Sequence, residues 1–177
     1  MKVYVASSWR NDRQPAVVEA LQAAGYEVYD FRHPTPGDSG FHWSEIDPNW
    51  HRWDADTYRE ALGHPVARHG FRNDMNALME ADVVVLVLPC GRSAHLELGH
   101  ACGSGKPTAI LLANDNEPEL MYRMVTLLAN DVIEVIEWLK AMSRDGSKRA
   151  QPEGIEIRAG SDAELLAAIQ RSLDGPD

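Results

Sequence analysis

The stretch that most constrains this chain is residues 82–88, Asp-Val-Val-Val-Leu-Val-Leu, a block of β-branched and aliphatic residues with no polar alternation. A strand with one wet face alternates, so an unbroken apolar run predicts a strand buried on both faces, as in a parallel sheet covered by helices. Pro89, Cys90 and Gly91 follow as a small-residue turn. Residues 92–101 then read as a helix, which Gly105, Lys106 and Pro107 stop before a second apolar run at 108–112. Glu97 is thereby expected in about the first turn of a helix that opens at the C-terminal edge of the sheet, where open α/β sheets bind ligands.

The remaining pattern extends this unit in both directions. Residues 3–6 read as the first strand and 7–12 as its loop; 15–24 form a helix with Pro15 in its first turn and Gly25 at its end; 26–30 are the second strand. A helix over 70–80 feeds the strand at Asp82. Beyond Leu112 the pattern predicts a loop at 113–118, a helical piece near 119–128, a strand over 131–135 and a helix over 136–142. It continues with a mobile polar loop at 143–154, a short edge strand at 155–158 and a last helix through Leu173, opened by the capping box of Ser161 and Glu164. The expectation is a single domain over 1–177: α/β, doubly wound, mainly parallel, with helices on both faces of the sheet.

Residues 31–69 interrupt the pattern. They hold Pro34, Pro36, Gly37 and Gly40, then His42, Trp43, Trp50, His51 and Trp53 among Glu45, Asp47, Asp54 and Asp56, with a short helix expected at 56–62. A loop this long in a compact domain is usually functional or disordered, and tryptophans argue against disorder. We read the insertion as an aromatic cap over the sheet edge. Tryptophans that merely fasten it to the body are an equally available and compatible account.

Charge and cysteine content exclude several function classes. The net charge is −10 with no Lys/Arg cluster, so a nucleic-acid polymer is not an expected partner, because binding one needs a positive footprint. One basic pocket could still hold a small phosphate. Two cysteines, Cys90 and Cys102, are too few for a disulfide framework and match no zinc spacing, so both read as small apolar residues. The seven histidines form no HxH or HxxxH pair, so no metal site is expected, nor any other cofactor. The first strand begins at once and no run is long enough to span a membrane, from which a cytoplasmic protein is expected.

Glu97 is the strongest candidate for chemistry. Near a helix N-terminus a carboxylate is stabilised by the macrodipole, so it is expected to stay ionised at neutral pH, which suits a nucleophile better than an acid. Asp74 lies on the helix that feeds the central strand. His95, two residues before Glu97, should face a different side of the helix. Glycine fingerprints of the GxGxxG and GxxxxGK[ST] types are absent, as is a GxSxG elbow, which disfavours dinucleotide dehydrogenases, P-loop kinases and serine hydrolases.

Three blocks, in order, carry a resemblance: Val3-Tyr4-Val5-Ala6-Ser7-Ser8-Trp9 through Gln14; Phe71-Arg72-Asn73-Asp74-Met75-Asn76; and Leu96-Glu97-Leu98-Gly99-His100-Ala101 with Gly105-Lys106-Pro107. Together they resemble the nucleoside 2-deoxyribosyltransferase family, over roughly the first two-thirds of the chain. The resemblance implies a flavodoxin-like fold with a five-stranded sheet. It implies Glu97 as nucleophile on the sugar C1′, Tyr4 as the hydroxyl that orients it, Asp74 on the sugar hydroxyls and Trp9 in the base pocket. It also implies a homo-oligomer whose neighbouring subunit completes the site with an asparagine, for which Asn130 is the counterpart.

One departure matters. The family carries an aspartate a few residues before the nucleophile, and here that stretch is Gly91-Arg92-Ser93-Ala94. Arg92 and Ser93 suit an anion at a helix N-terminus, and the run 93–97 resembles the related nucleoside 5′-monophosphate N-glycosidases. Ser7, Ser8 and Arg10 would add phosphate contacts. The acid for the departing base is left open among His95, Asp47, Glu45 and Asp74. The expected activity is cleavage of the N-glycosidic bond of a (deoxy)nucleoside or nucleoside 5′-monophosphate through a glycosyl-Glu97 intermediate, the sugar passing to another base or to water. The alternatives are an NAD-cleaving hydrolase of the Toll/interleukin-1-receptor-like type and a nucleotide-binding module without catalysis.

Overall fold

The computed structural model describes residues 1–114 and 117–144. Among them a single parallel sheet of five strands has the order β2-β1-β3-β4-β5, with β1 at Lys2–Ala6, β2 at Glu27–Asp30, β3 at Val83–Val87, β4 at Thr108–Leu111 and β5 at Leu127–Ala129. The doubly wound α/β expectation holds, and this order is the flavodoxin-like one. The central run that first suggested a two-sided strand is buried along its whole length.

Alternation of side chains sorts the strands between two cores. Val3, Val5, Val83, Val85 and Val87 point to one face, where Val17, Val18 and Leu21 of α1 (Gln14–Ala23) and Val135 and Leu139 of α5 (Val132–Arg144) cover them. Tyr4, Ala6, Val84 and Leu86 point to the other. They pack under Leu78 of α3 (Pro65–Glu80) and under Ala94, Leu98 and Ala101 of α4 (Arg92–Gly103). The second face carries the residues the sequence singled out: Tyr4 reaches it from β1, while Asp74 and Glu97 lie on α3 and α4.

Residues 31–64 do form an ordered cap: two 3-10 turns, Trp43–Glu45 and Trp50–Arg52, then α2 (Ala55–Ala61), whose N-cap Asp54 accepts from the Thr57 N–H at 2.8 Å. Gly70 is what lets the cap dock. A Cβ there would sit 2.7 Å from Phe41 Cβ, too close for any side chain to remain.

Two expectations beyond β4 fail. The piece expected to be helical near 119–128 is a 3-10 turn at Leu120–Met124 followed by β5, and the strand expected over 131–135 is the first turn of α5. Asp131 caps α5 by accepting from the N–H groups of Ile133 and Glu134 at 2.8 and 3.0 Å, and Val135 and Leu139, one turn apart, bury against the sheet, so cap and tertiary packing together override the β-branched content. The helix expected from Gly70 also begins earlier, at Pro65, with His64 as N-cap. The loop expected at 143–154, the edge strand at 155–158 and the helix opened at Ser161 lie wholly or mostly outside the described residues. Among the described residues, no helix is long and apolar enough to cross a membrane.

Candidate active site

A cavity of about 550 Å³ opens between α3, α4 and the cap. Asp74 and Glu97 line it, together with Phe41, Trp43 and Tyr58 of the cap, Leu62, Arg68 and Phe71 along its α3 side, and Ser93, Leu96 and His100 of α4. A size of this order, with mostly apolar walls and a few polar groups, is typical of small-molecule sites. It lies on the α3–α4 face of the sheet, and the cap forms part of its wall.

Glu97 is the sixth residue of α4, whose N-cap is Gly91. That corrects its expected place in the first turn. So far inside the helix the free N–H groups of the terminus do not reach it, and the dipole contributes little. Burial dominates instead: desolvation, with Asp74's negative charge second, pushes Glu97 up to about 7, against one hydrogen bond from Tyr4 that pulls it down. Burial thus works against the carboxylate ionised at neutral pH that the helix N-terminus alone suggested.

Its neighbours form a connected set. The Tyr4 ring is buried and stacks on Tyr29, with centroids 5.2 Å apart and planes at 17°. Tyr29 in turn donates from its hydroxyl to Asp74 Oδ1 at 2.8 Å. Burial first, and the nearby Asp38 charge as well, raise the Asp74 pKa, while the Tyr29 hydrogen bond opposes them. Both tyrosines are held well above their ordinary range by burial and then by the adjacent carboxylates, so they stay protonated and donate. Two tyrosines thus each steer one carboxyl. Tyr29 had no signal in the sequence beyond its place in a strand, and only the pairing of Tyr4 with Tyr29 across β1 and β2 reveals it.

The other expected residues divide. Ser93 lines the cavity beside Glu97. Arg92 is exposed at the helix start and does not line it. Ser7 is committed to the scaffold: its hydroxyl donates to the Val87 carbonyl at 2.8 Å and accepts from Asn11 Nδ2 at 2.9 Å. Ser8 accepts from the Arg10 N–H at 3.2 Å, and the Arg10 residue is exposed. Trp9 packs on Phe31 and His42, with the Arg32 guanidinium 5.3 Å from its ring centre, rather than on the cavity. Asn130 is exposed at the end of β5, its N–H donating to Glu134 at 3.0 Å.

Among the acids left open, three are engaged elsewhere. His95 Nδ1 lies 3.1 Å from the Gly91 carbonyl and Nε2 2.9 Å from the Tyr122 hydroxyl, so it faces away from Glu97 as its spacing suggested. Glu45 accepts from the His42 N–H at 2.9 Å, and Asp47 accepts from Asn49 N and from Trp53 Nε1 at 2.8 and 2.7 Å. Only Asp74 lines the cavity. Two basic groups for which the sequence suggested no role join it there: His100, one turn after Glu97, and Arg68, which has no ion-pair partner among the described residues. Among those residues no cluster of His, Cys, Asp and Glu is arranged to hold a metal ion. Cys90 and Cys102 are unpaired and half-buried against the core.

Neither a family model nor a curated protein sequence matches the chain. Its fold is matched by a 2-deoxyribosyltransferase from the psychrotolerant bacterium Bacillus psychrosaccharolyticus, with a TM-score of 0.52 and 19% identity over 77% of this chain and 90% of that one. The chain has the fold of a 2-deoxyribosyltransferase. A CMP N-glycosidase of Clostridium botulinum aligns with a TM-score of 0.45 and 17% identity, covering 79% of this chain and 99% of that one. On this 2-deoxyribosyltransferase fold, the carboxyl pair sits on the two helices that border the cavity.

Proposed function

We propose that the protein cleaves the N-glycosidic bond of a (deoxy)nucleoside or nucleoside 5′-monophosphate, with Glu97 as the nucleophile. The observation that carries this reading is the buried pair of Glu97 and Asp74 in an aromatic-walled cavity, each carboxyl held by its own tyrosine. Ionised Glu97 attacks C1′ as the bond to the base lengthens. The C–N electron pair leaves on the base nitrogen, which takes a proton, and the sugar remains as an ester on Glu97. Water or a second base then attacks C1′ and frees the carboxylate. Asp74 holds the sugar hydroxyls. Asp74 and His100 are the groups lining the cavity that can carry the proton, since His95, Asp47 and Glu45 are turned elsewhere.

Phe41, Trp43, Tyr58 and Phe71 offer faces to a planar base, worth ~1–3 kcal/mol per stacked ring in nucleic-acid systems. An anionic substrate has a seat in Ser93 at the start of α4 and Arg68 at the wall, which has no ion-pair partner among the described residues. The mouth of the cavity is apolar and open: Leu96 is 76% and Phe71 69% exposed. That supports a homo-oligomer in which a second copy covers the opening.

The test is turnover on a panel of deoxynucleosides and nucleoside monophosphates, with and without an acceptor base. Free base without acceptor marks a hydrolase, and base exchange marks a transferase. Glu97→Ala should lower kcat by roughly 10⁴-fold or more with the fold intact. Activity retained in that variant ends the proposal.

A further inference from the structure

The function proposed above uses Trp43 and Tyr58 but leaves Trp50, His51 and Trp53 without a task. Those residues line a second hollow of about 290 Å³ in the cap, bounded by Trp43, Trp50, His51, Trp53, Asp54, Ala55 and Tyr58. Trp43 and Tyr58 are the wall it shares with the Glu97 cavity. We propose that this hollow is an aromatic box that binds a quaternary ammonium group.

Three observations carry it. The rings stand as walls at right angles rather than as parallel plates: Trp43 meets Trp53 at 79° and Tyr58 at 72°, with centroids 5.6 and 5.7 Å apart. Parallel faces would sandwich a flat heterocycle, whereas orthogonal faces surround a compact tetrahedral cation with the negative faces of their π systems. The walls are also fixed in advance. Trp53 donates from Nε1 to Asp47 at 2.7 Å, and Asp47 is itself held by the Asn49 N–H at 2.8 Å. The surrounding charge has the complementary sign: Asp54 lines the hollow, Asp47 lies behind its Trp53 wall, and neither Lys nor Arg is among the lining residues. Arg59, on α2, is paired with Asp56 at 3.0 Å. The volume exceeds what a trimethylammonium head needs, leaving room for the chain that carries it, as in choline or a trimethylated lysine.

Tryptophan fluorescence tests the box directly, independently of any reaction at Glu97. Tetramethylammonium, choline and trimethyl-lysine are titrated against 3,3-dimethylbutanol, the uncharged carbon analogue of choline, and against adenine as a flat ring. Saturable binding of the ammonium compounds at least tenfold tighter than the uncharged analogue is expected, and the better of choline and trimethyl-lysine identifies the carrier. Trp50→Ala should weaken ammonium binding at least tenfold and leave turnover unchanged. Asp54→Asn removes the charge while keeping a good N-cap for α2, so it should weaken the ammonium compounds and not the analogue. Equal binding of ammonium and analogue overturns the assignment, as does preference for adenine or no saturable binding at all.

Discussion

At the scale of single residues, the site turns on where Glu97 keeps its proton. Its midpoint of about 7 should appear as a rise of kcat/KM with pH through that value, because the proposed nucleophile must be ionised to attack. Tyr4→Phe removes the hydrogen bond that favours the anion and should move the midpoint up. Asp74→Asn removes the opposing charge and should move it down, whatever it also does to KM. A pH profile in which both variants shift the same way contradicts the arrangement. Stability follows with a worked sign. In the unfolded chain the carboxyl ionises near 4.5 and in the folded one near 7, so the native state binds the extra proton and stability falls as pH rises through that window. Glu97→Gln should therefore stabilise the fold at pH 8 by up to about 3 kcal/mol and change little at pH 4, measured by urea unfolding at each pH. From the sequence, Glu97, Asp74 and Tyr4 were legible because they sit in ordered blocks. His100 stands in the same block as Glu97, but no role was read for it there; Tyr29 and Arg68 were not legible, because what brings them to the site is strand pairing and helix rotation, neither of which leaves a local pattern.

At the scale of elements, the buried strands were legible and the sparser ones were not. Residues 83–87 are apolar because both faces are covered, and that requirement is written in every position. β5 has three residues, of which only Ala129 is buried, so too few positions are constrained to announce a strand. Val132, Ile133, Val135 and Ile136 look like a strand by composition, yet the Asp131 cap and packing against the sheet together make them helix. In the loop after β1, from which phosphate contacts were expected, Ser7 and Asn11 spend polar groups tying the loop to β3 at Val87. The docking of cap on α3 depends on Gly70, whose absent side chain makes room for Phe41. Gly70→Ala should cost about 1–3 kcal/mol of stability, as overpacking does, and should raise KM more than it lowers kcat, since the cap forms the cavity wall. A variant with wild-type stability and KM would show that the cap is not seated by this contact.

At the scale of the whole molecule, an acidic body with a net charge of −10 confines any anion to the neighbourhood of a few basic side chains, and Arg68 and His100 are placed inside the cavity itself. In the proposed homo-oligomer, a second copy would cover the apolar rim at Leu96 and Phe71. Leu96→Asp should lower the sedimentation mass toward that of one chain and cut activity with it; an unchanged mass would place any interface elsewhere. Tyr4, Asp74 and Glu97 come from the first strand, the third helix and the fourth, so no fragment owns the proposed reaction centre. A chain that has recovered its helices but not their seating on the sheet has none of it, and returning turnover during renaturation reports arrival of the complete architecture rather than of any one part.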